Sequence, residues 1–156
     1  LYNKGVIKNT ESIEKGFANV CEMTGLMGRW QTIQKQPLVI CDTGHNAGGW
    51  KYLSQQIKHT PCKQRRIVFG MVDDKDLHSV MGMLPDDAVY YWTQPSTHRA
   101  FPVHKVSETA DAYNLQGKQY PTVMEAYRAA LADANKDDFI FVGGSSYVVA
   151  DLLAGI

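Results

Sequence analysis

Cysteine is scarce in this chain and poorly placed for cross-links. The three residues, Cys21, Cys41 and Cys62, are odd in number, widely spaced and form no CxxC pair. Such spacing argues against a disulfide framework or a zinc site, and the thiols read as reduced side chains of a cytoplasmic protein. A surplus of either charge is also missing: 16 Lys and Arg face 16 Asp and Glu. Nucleic-acid binders usually carry a basic excess to meet phosphates, so no nucleic-acid partner is expected. No apolar run approaches the roughly 18–20 residues of a membrane helix, and no membrane partner is expected. The opening Leu1-Tyr2-Asn3-Lys4-Gly5 has neither an initiator Met nor the pattern of a signal peptide. This reads as a piece cut from a longer polypeptide. Three nucleotide and hydrolase signatures are absent as well. There is no Gly-x-x-x-x-Gly-Lys-Ser/Thr phosphate loop, no GxGxxG and no GxSxG elbow.

What is present suits one domain with one real core: 156 residues, 44% of them hydrophobic. Residues 10–20 suit a short helix capped by Thr10 or Ser12, with Ile13, Phe17 and Val20 at helical spacing. Two glycines then break the pattern, so residues 1–27 read as a linker and residues 28–156 as the compact domain. From Gly28 onward, short apolar runs alternate with helical ones. Strands are expected at 28–34, 37–42, 65–72, 86–94 and 137–144. Helices are expected at 46–59, 73–84, 107–117 with Ser107 as cap and Gly117 as stop, 121–135 with a Thr122/Glu125 capping box, and 145–155. This alternation implies an α/β fold. We expect a Rossmann-like three-layer sandwich with a mostly parallel, five- or six-stranded sheet and helices on both faces. The strands lack polar alternation, as expected when both faces are covered.

In such folds, ligands sit beyond the carboxyl ends of the strands. Three of those ends carry unusual residues. The run Asp42-Thr43-Gly44-His45-Asn46 leaves a strand through an acid, a glycine and a histidine. Asp42 could accept from a ribose hydroxyl, hold a metal through water, or simply cap the turn. His45 and Asn46 stand at the mouth of a helix, where amides and the dipole favour an anion. Lys75 sits among Asp73, Asp74 and Asp76. It reads either as part of a solvated first turn or as a cation held by acids and aimed at a carboxylate. Gly143-Gly144-Ser145-Ser146 offers a small nest with hydroxyl donors. Arg29, just before the first strand, is either a surface charge or a planar fork for phosphate.

The order GRWQTI, PLVICDTGHN, VFGMVDDKD and DDFIFVGGSSYVVADLL resembles the carboxyl-terminal domain of the folylpolyglutamate synthase and dihydrofolate synthase family, a branch of the Mur ligases. The family's usual Asp-Gly-Ala-His-Asn-Pro appears here as Asp42-Thr-Gly-His-Asn-Ala47, keeping the acid, the histidine and the asparagine. The resemblance implies a domain of an ATP-dependent ligase. A folate or dihydropteroate carboxylate is activated as an acyl phosphate, and the amine of L-glutamate attacks it. Residues 1–27 would be the tail of a preceding central ATPase domain, which carries the phosphate loop and most of the magnesium ligation. No metal ligand is then expected on this chain. By the same resemblance, Arg29, Asp42 and Asn46 would serve ATP, and His45 would line the reaction cleft. Lys75, Arg99, Ser145 and Ser146 would hold the incoming glutamate. The implied partners are ATP, L-glutamate, the folate substrate and the chain's own ATPase domain, in a cytoplasmic monomer. The alternatives are a phospho-receiver-like signalling domain and a plain nucleotide-binding module.

Overall fold

Successive residues of the central strands turn to opposite faces, and each face has its own apolar layer. Ile67, Phe69, Tyr90, Trp92, Phe139 and Phe141 belong to one buried cluster; Val68, Tyr91, Ile140 and Val142 belong to the other. This is the two-residue period of a strand covered on both sides. The structure, a computed structural model, describes residues 27–73 and 76–156. The helix expected at 10–20, Cys21, and Lys75 with Asp74 lie outside the described residues.

Six strands form one sheet: β1 (Gln31–Lys35), β2 (Leu38–Asp42), β3 (Arg65–Phe69), β4 (Ala88–Trp92), β5 (Gly117–Gln119) and β6 (Phe139–Gly143). Their order is β1-β2-β6-β3-β4-β5. β1 is antiparallel to β2, and every other pair is parallel. The described helices are α1 (Ala47–His59), α2 (Leu77–Met81), α3 (Val103–Asp111), α4 (Val123–Asp133) and α5 (Ser146–Gly155). Helices α1, α2 and α3 contribute Trp50, Leu53, Ile57, Leu77, Val80, Val106 and Ala110 to one layer. The other layer takes Val123, Ala126, Tyr127, Ala130, Val148, Val149 and Leu152 from α4 and α5. The expected three-layer α/β sandwich is therefore present, with six strands.

Three elements differ from the sequence reading. The third helix begins at Val103, not after Ser107, with Pro102 as its N-cap. Proline fixes φ and has no amide to leave unpaired, so it opens a helix well. The side chain of Gln94 supplies the missing cap: its Oε1 accepts the Val103 N–H at 2.9 Å. Gly117 does not stop this helix; it begins β5. All three residues of that edge strand are exposed, so it carries none of the apolar pattern by which strands are recognised. The second helix is shorter than expected, starting after Asp76, whose Oδ1 accepts the Ser79 N–H at 3.0 Å. The Ser79 hydroxyl, which donates to Asp76 Oδ2, and then the Ser79 amide hold the Asp76 carboxyl below its ordinary pKa. The Thr122/Glu125 cap on α4 is present, with the Glu125 N–H donated to Thr122 Oγ1 at 3.2 Å.

Candidate functional site

The last residues of β2, β6 and β3 lie side by side: Asp42 is in register with Gly143, and Gly143 with Phe69. Strand β6 is the last described strand yet lies between β2 and β3, and the helices that follow β2 and β6 pack on opposite faces of the sheet. That is where a doubly wound sheet opens a crevice. Three glycine-rich exits meet there. At Gly144 the conformation itself demands glycine: φ is +102°, and a Cβ would collide with the Gly70 carbonyl oxygen. A side chain on Gly44 would collide with Leu53 of α1. At Gly144 this edge is therefore backbone packed against backbone, and at Gly44 it is backbone packed against a core side chain.

Asp42 is buried, and both carboxylate oxygens serve the protein's own backbone. Oδ1 accepts the Gly44 N–H at 2.7 Å and Oδ2 accepts the Trp30 N–H at 2.7 Å. A third bond, from the Thr43 N–H to the Gly28 carbonyl at 2.8 Å, completes the clamp. The Gly28–Trp30 loop is therefore strapped over the Asp42–Gly44 turn, and exposed Arg29 is carried to the crevice. Of the readings open for Asp42, the turn role is the one these contacts express.

His45 Nδ1 is 3.0 Å from the Thr43 carbonyl. A carbonyl can only accept, so this nitrogen carries the proton, and in the neutral ring Nε2 is the acceptor. Asn46 caps α1, its Oδ1 accepting the Gly49 N–H at 2.9 Å. Ser145 is buried and caps α5, its Oγ accepting the Tyr147 N–H at 3.2 Å. Ser146 is exposed in the first turn of that helix. Two helices of 13 and 10 residues thus begin at the same sheet edge, and their N-terminal dipoles favour an anion there.

Arg99 lies in the loop after β4, on the same side of the sheet. Its carbonyl accepts the Asp73 N–H at 2.8 Å, and Val72 bridges Ala100. The structure therefore brings together Arg29, Asp42, His45, Asn46, Ser145 and Ser146, and seats the Arg99 loop on the segment that leads into Lys75. Among the described residues, no three His, Cys, Asp or Glu side chains are grouped so as to hold a metal ion.

A cavity of about 650 Å³ lies at the other end of the sheet, lined by Lys63, Gln64, Arg66, Asn135, Lys136 and neighbouring acids. Its buried charges are paired, and Lys63 is bridged to Asp137 at 2.7 Å. Arg66 Nε and Nη2 donate to Asp138 Oδ2 at 3.2 and 3.1 Å, and Nη1 donates to the Tyr91 hydroxyl at 3.0 Å. Tyr91 in turn donates to Asp133 at 2.8 Å. Burial, then Asp133, push the Tyr91 hydroxyl up to about 12, so it stays neutral and bonds both ways. This network staples β3, β4 and β6 to α4. Sequence reading missed it because none of its members is locally unusual.

Comparison with known proteins gives a consistent result. Residues 28–146 match the family described as Mur ligase, glutamate ligase domain. The dihydrofolate synthase/folylpolyglutamate synthase of Escherichia coli strain K12 is 29% identical over 150 residues, covering 96% of this chain and 34% of that protein. A structure of E. coli FolC with DHPP and ADP superposes with a TM-score of 0.76 at 30% identity, covering 83% of this chain and 31% of the other. A bifunctional folylpolyglutamate synthase/dihydrofolate synthase with Mn, AMPPNP and L-glutamate bound gives 0.74 at 30% identity, with the same coverage. The chain spans about a third of the length of the curated relatives it matches. Neither the phospho-receiver reading nor the plain nucleotide-binding module is favoured by these matches. Among the described residues, no helix is long and apolar enough to cross a membrane.

Proposed function

This chain belongs to the family of Mur ligase glutamate ligase domains, and from that premise we propose that it closes the active site of an ATP-dependent ligase adding L-glutamate to a folate or dihydropteroate carboxylate. The observation that carries the proposal is the shared edge where β2, β3 and β6 end and where α1 and α5 begin. Two helix N-termini, a strapped-down arginine and a histidine with an acceptor nitrogen suit a reaction that handles phosphate and carboxylates.

In this reading Arg29 donates to the phosphates of ATP. Asp42 acts on the nucleotide side by fixing the loop that carries Arg29, and Asn46 holds the start of α1 beside it. His45 lines the cleft with Nε2 available to accept a proton. Lys75, Arg99, Ser146 and the α5 N-terminus capped by Ser145 receive the carboxylates of glutamate. Phosphoryl transfer depends mainly on positioning and charge stabilisation, which these groups provide. Magnesium supplies charge neutralisation on the phosphates when bound. In this reading it is held mainly by the preceding ATPase domain. The partners are that domain, ATP, L-glutamate and the folate substrate, in a cytoplasmic monomer.

The test is steady-state kinetics on the full polypeptide that contains this chain, with ATP, glutamate and the folate substrate varied separately. ADP release that requires both glutamate and a folate or dihydropteroate is expected. ADP release indifferent to glutamate would overturn the proposal.

A further inference from the structure

Ser96 and Asp151 are 55 residues apart and meet through two short bonds. The Ser96 N–H donates to Asp151 Oδ2 at 2.7 Å, and the Ser96 hydroxyl donates to Oδ1 at 2.6 Å. A carboxylate that takes both donors of one residue fixes direction as well as distance. Asp151 lies on α5, the helix that starts at Ser146, and Ser96 lies on the loop that holds Arg99. The same loop is zipped to the exit of β3. Asp73 N–H donates to the Arg99 carbonyl at 2.8 Å, and Phe101 N–H donates to the Met71 carbonyl at 2.9 Å, around the Val72–Ala100 bridge. Three segments far apart in sequence are therefore tied in one chain of contacts: α5, the 94–102 loop, and the segment entering Lys75.

We propose that the Ser96–Asp151 clasp is a positioning device for amino-acid recognition, holding the Arg99 loop in its glutamate-ready shape before glutamate arrives. This rests on the reading that assigns Arg99 and the start of α5 to glutamate. The physical argument is preorganisation. A loop already held does not lose its freedom on binding, so the ligand need not offset that cost. Asp151 is half-buried and Ser96 exposed; exposed polar contacts of this kind contribute little to global stability. The clasp should therefore govern glutamate affinity far more than folding.

The experiment uses the full polypeptide and compares Asp151→Ala, Asp151→Asn, Ser96→Ala and Arg99→Ala. For Asp151→Ala, the KM for glutamate should rise about fivefold to tenfold, the net scale of one solvent-exposed hydrogen bond. The KM for ATP and the melting temperature should stay close to wild type. Asp151→Asn should restore most of the affinity, because an amide oxygen can accept the Ser96 N–H while its NH₂ donates to the Ser96 hydroxyl. Ser96→Ala, which loses only the hydroxyl bond, should fall between. A glutamate KM that moves with Arg99→Ala but not with Asp151→Ala overturns the clasp alone. If neither substitution moves it, the assignment of this loop to glutamate falls too. A parallel rise of both KM values with loss of thermal stability, or an Asn variant as poor as Ala, shows a merely structural contact and also overturns the proposal.

Discussion

Asp42 reaches back 12 residues to accept the Trp30 amide, while its other oxygen holds the Gly44 amide two residues ahead. One buried carboxylate thus ties the start of the domain to the turn that carries His45. Replacing it with alanine leaves two amides without their acceptor. Asp42→Ala should destabilise the fold by about 2–4 kcal/mol, since a bond to a charged group is worth about 1.5–3 and a buried orphan donor adds to the cost. Chemical denaturation measures it; a change below about 0.5 kcal/mol would mean the clamp is slack.

Arg29 rides on that clamped loop but is itself exposed. Arg29→Ala should therefore spare stability and damage ATP-linked steps of the full polypeptide by roughly tenfold to a hundredfold, the worth of one charged bond to phosphate. Lys75→Ala should instead raise the KM for glutamate and spare kcat, as expected when a contact made equally in the ground and transition states is lost. A glutamate KM within about twofold of wild type would assign that lysine to the solvated surface.

The chain alone should show no glutamate-dependent ADP release, because no phosphate-loop sequence occurs in its 156 residues. Measurable turnover by the purified chain would contradict the division of labour between the two domains.

Gly144 should tolerate no side chain. Gly144→Ala combines a left-handed φ of +102° with overlap on the Gly70 carbonyl, at about 2–4 kcal/mol when backbone strain and overpacking are added. A melting temperature unchanged by the substitution would count against this close backbone approach.

Acid should weaken the opposite end of the sheet. Burial acts to raise the pKa of Asp138, but the Asn135 amide and the Arg66 guanidinium outweigh it and hold the carboxyl below its ordinary value. A depressed folded pKa contributes stability that is complete above the unfolded value of about 3.9 and is lost as pH falls through the folded one. Asp138→Asn should cost about 3 kcal/mol at neutral pH, because Arg66 loses its carboxylate and is left with the neutral Tyr91 hydroxyl. It should also flatten the acid limb of stability against pH. Denaturation curves above and below pH 4 would show whether the two profiles converge.

Much of the fold is legible in the sequence because each strand and helix states its own burial locally. Phe139–Gly143 is apolar throughout and buried throughout. Val123, Ala126, Tyr127 and Ala130 repeat at helical spacing and line the face buried on the sheet. The misses share one cause. Strand β5 is three exposed residues at the sheet edge, paired with β4. Helix α3 starts where a side chain nine residues away caps it. The Ser96–Asp151 clasp joins two ordinary polar residues. Where the deciding contact is distant and polar, no local period announces it.

The site shows the same division. Glycine, histidine and asparagine after a strand mark the β2 exit plainly. The backbone bonds of Asp42 to Trp30, and the strapping of Arg29 over the turn, depend on register between segments that the sequence lists apart.

Strand β6 is the sixth in the chain, yet it pairs on one side with β2 and on the other with β3. A polypeptide still being made has Leu38–Asp42 and Arg65–Phe69 long before it has Phe139–Gly143. Until that later strand emerges, the two halves of the sheet have no direct partner in each other, and the crevice between them does not exist. Phe139–Gly143 must be made before this domain can close its centre, and a chain stopped before Phe139 would leave two open strand edges facing water.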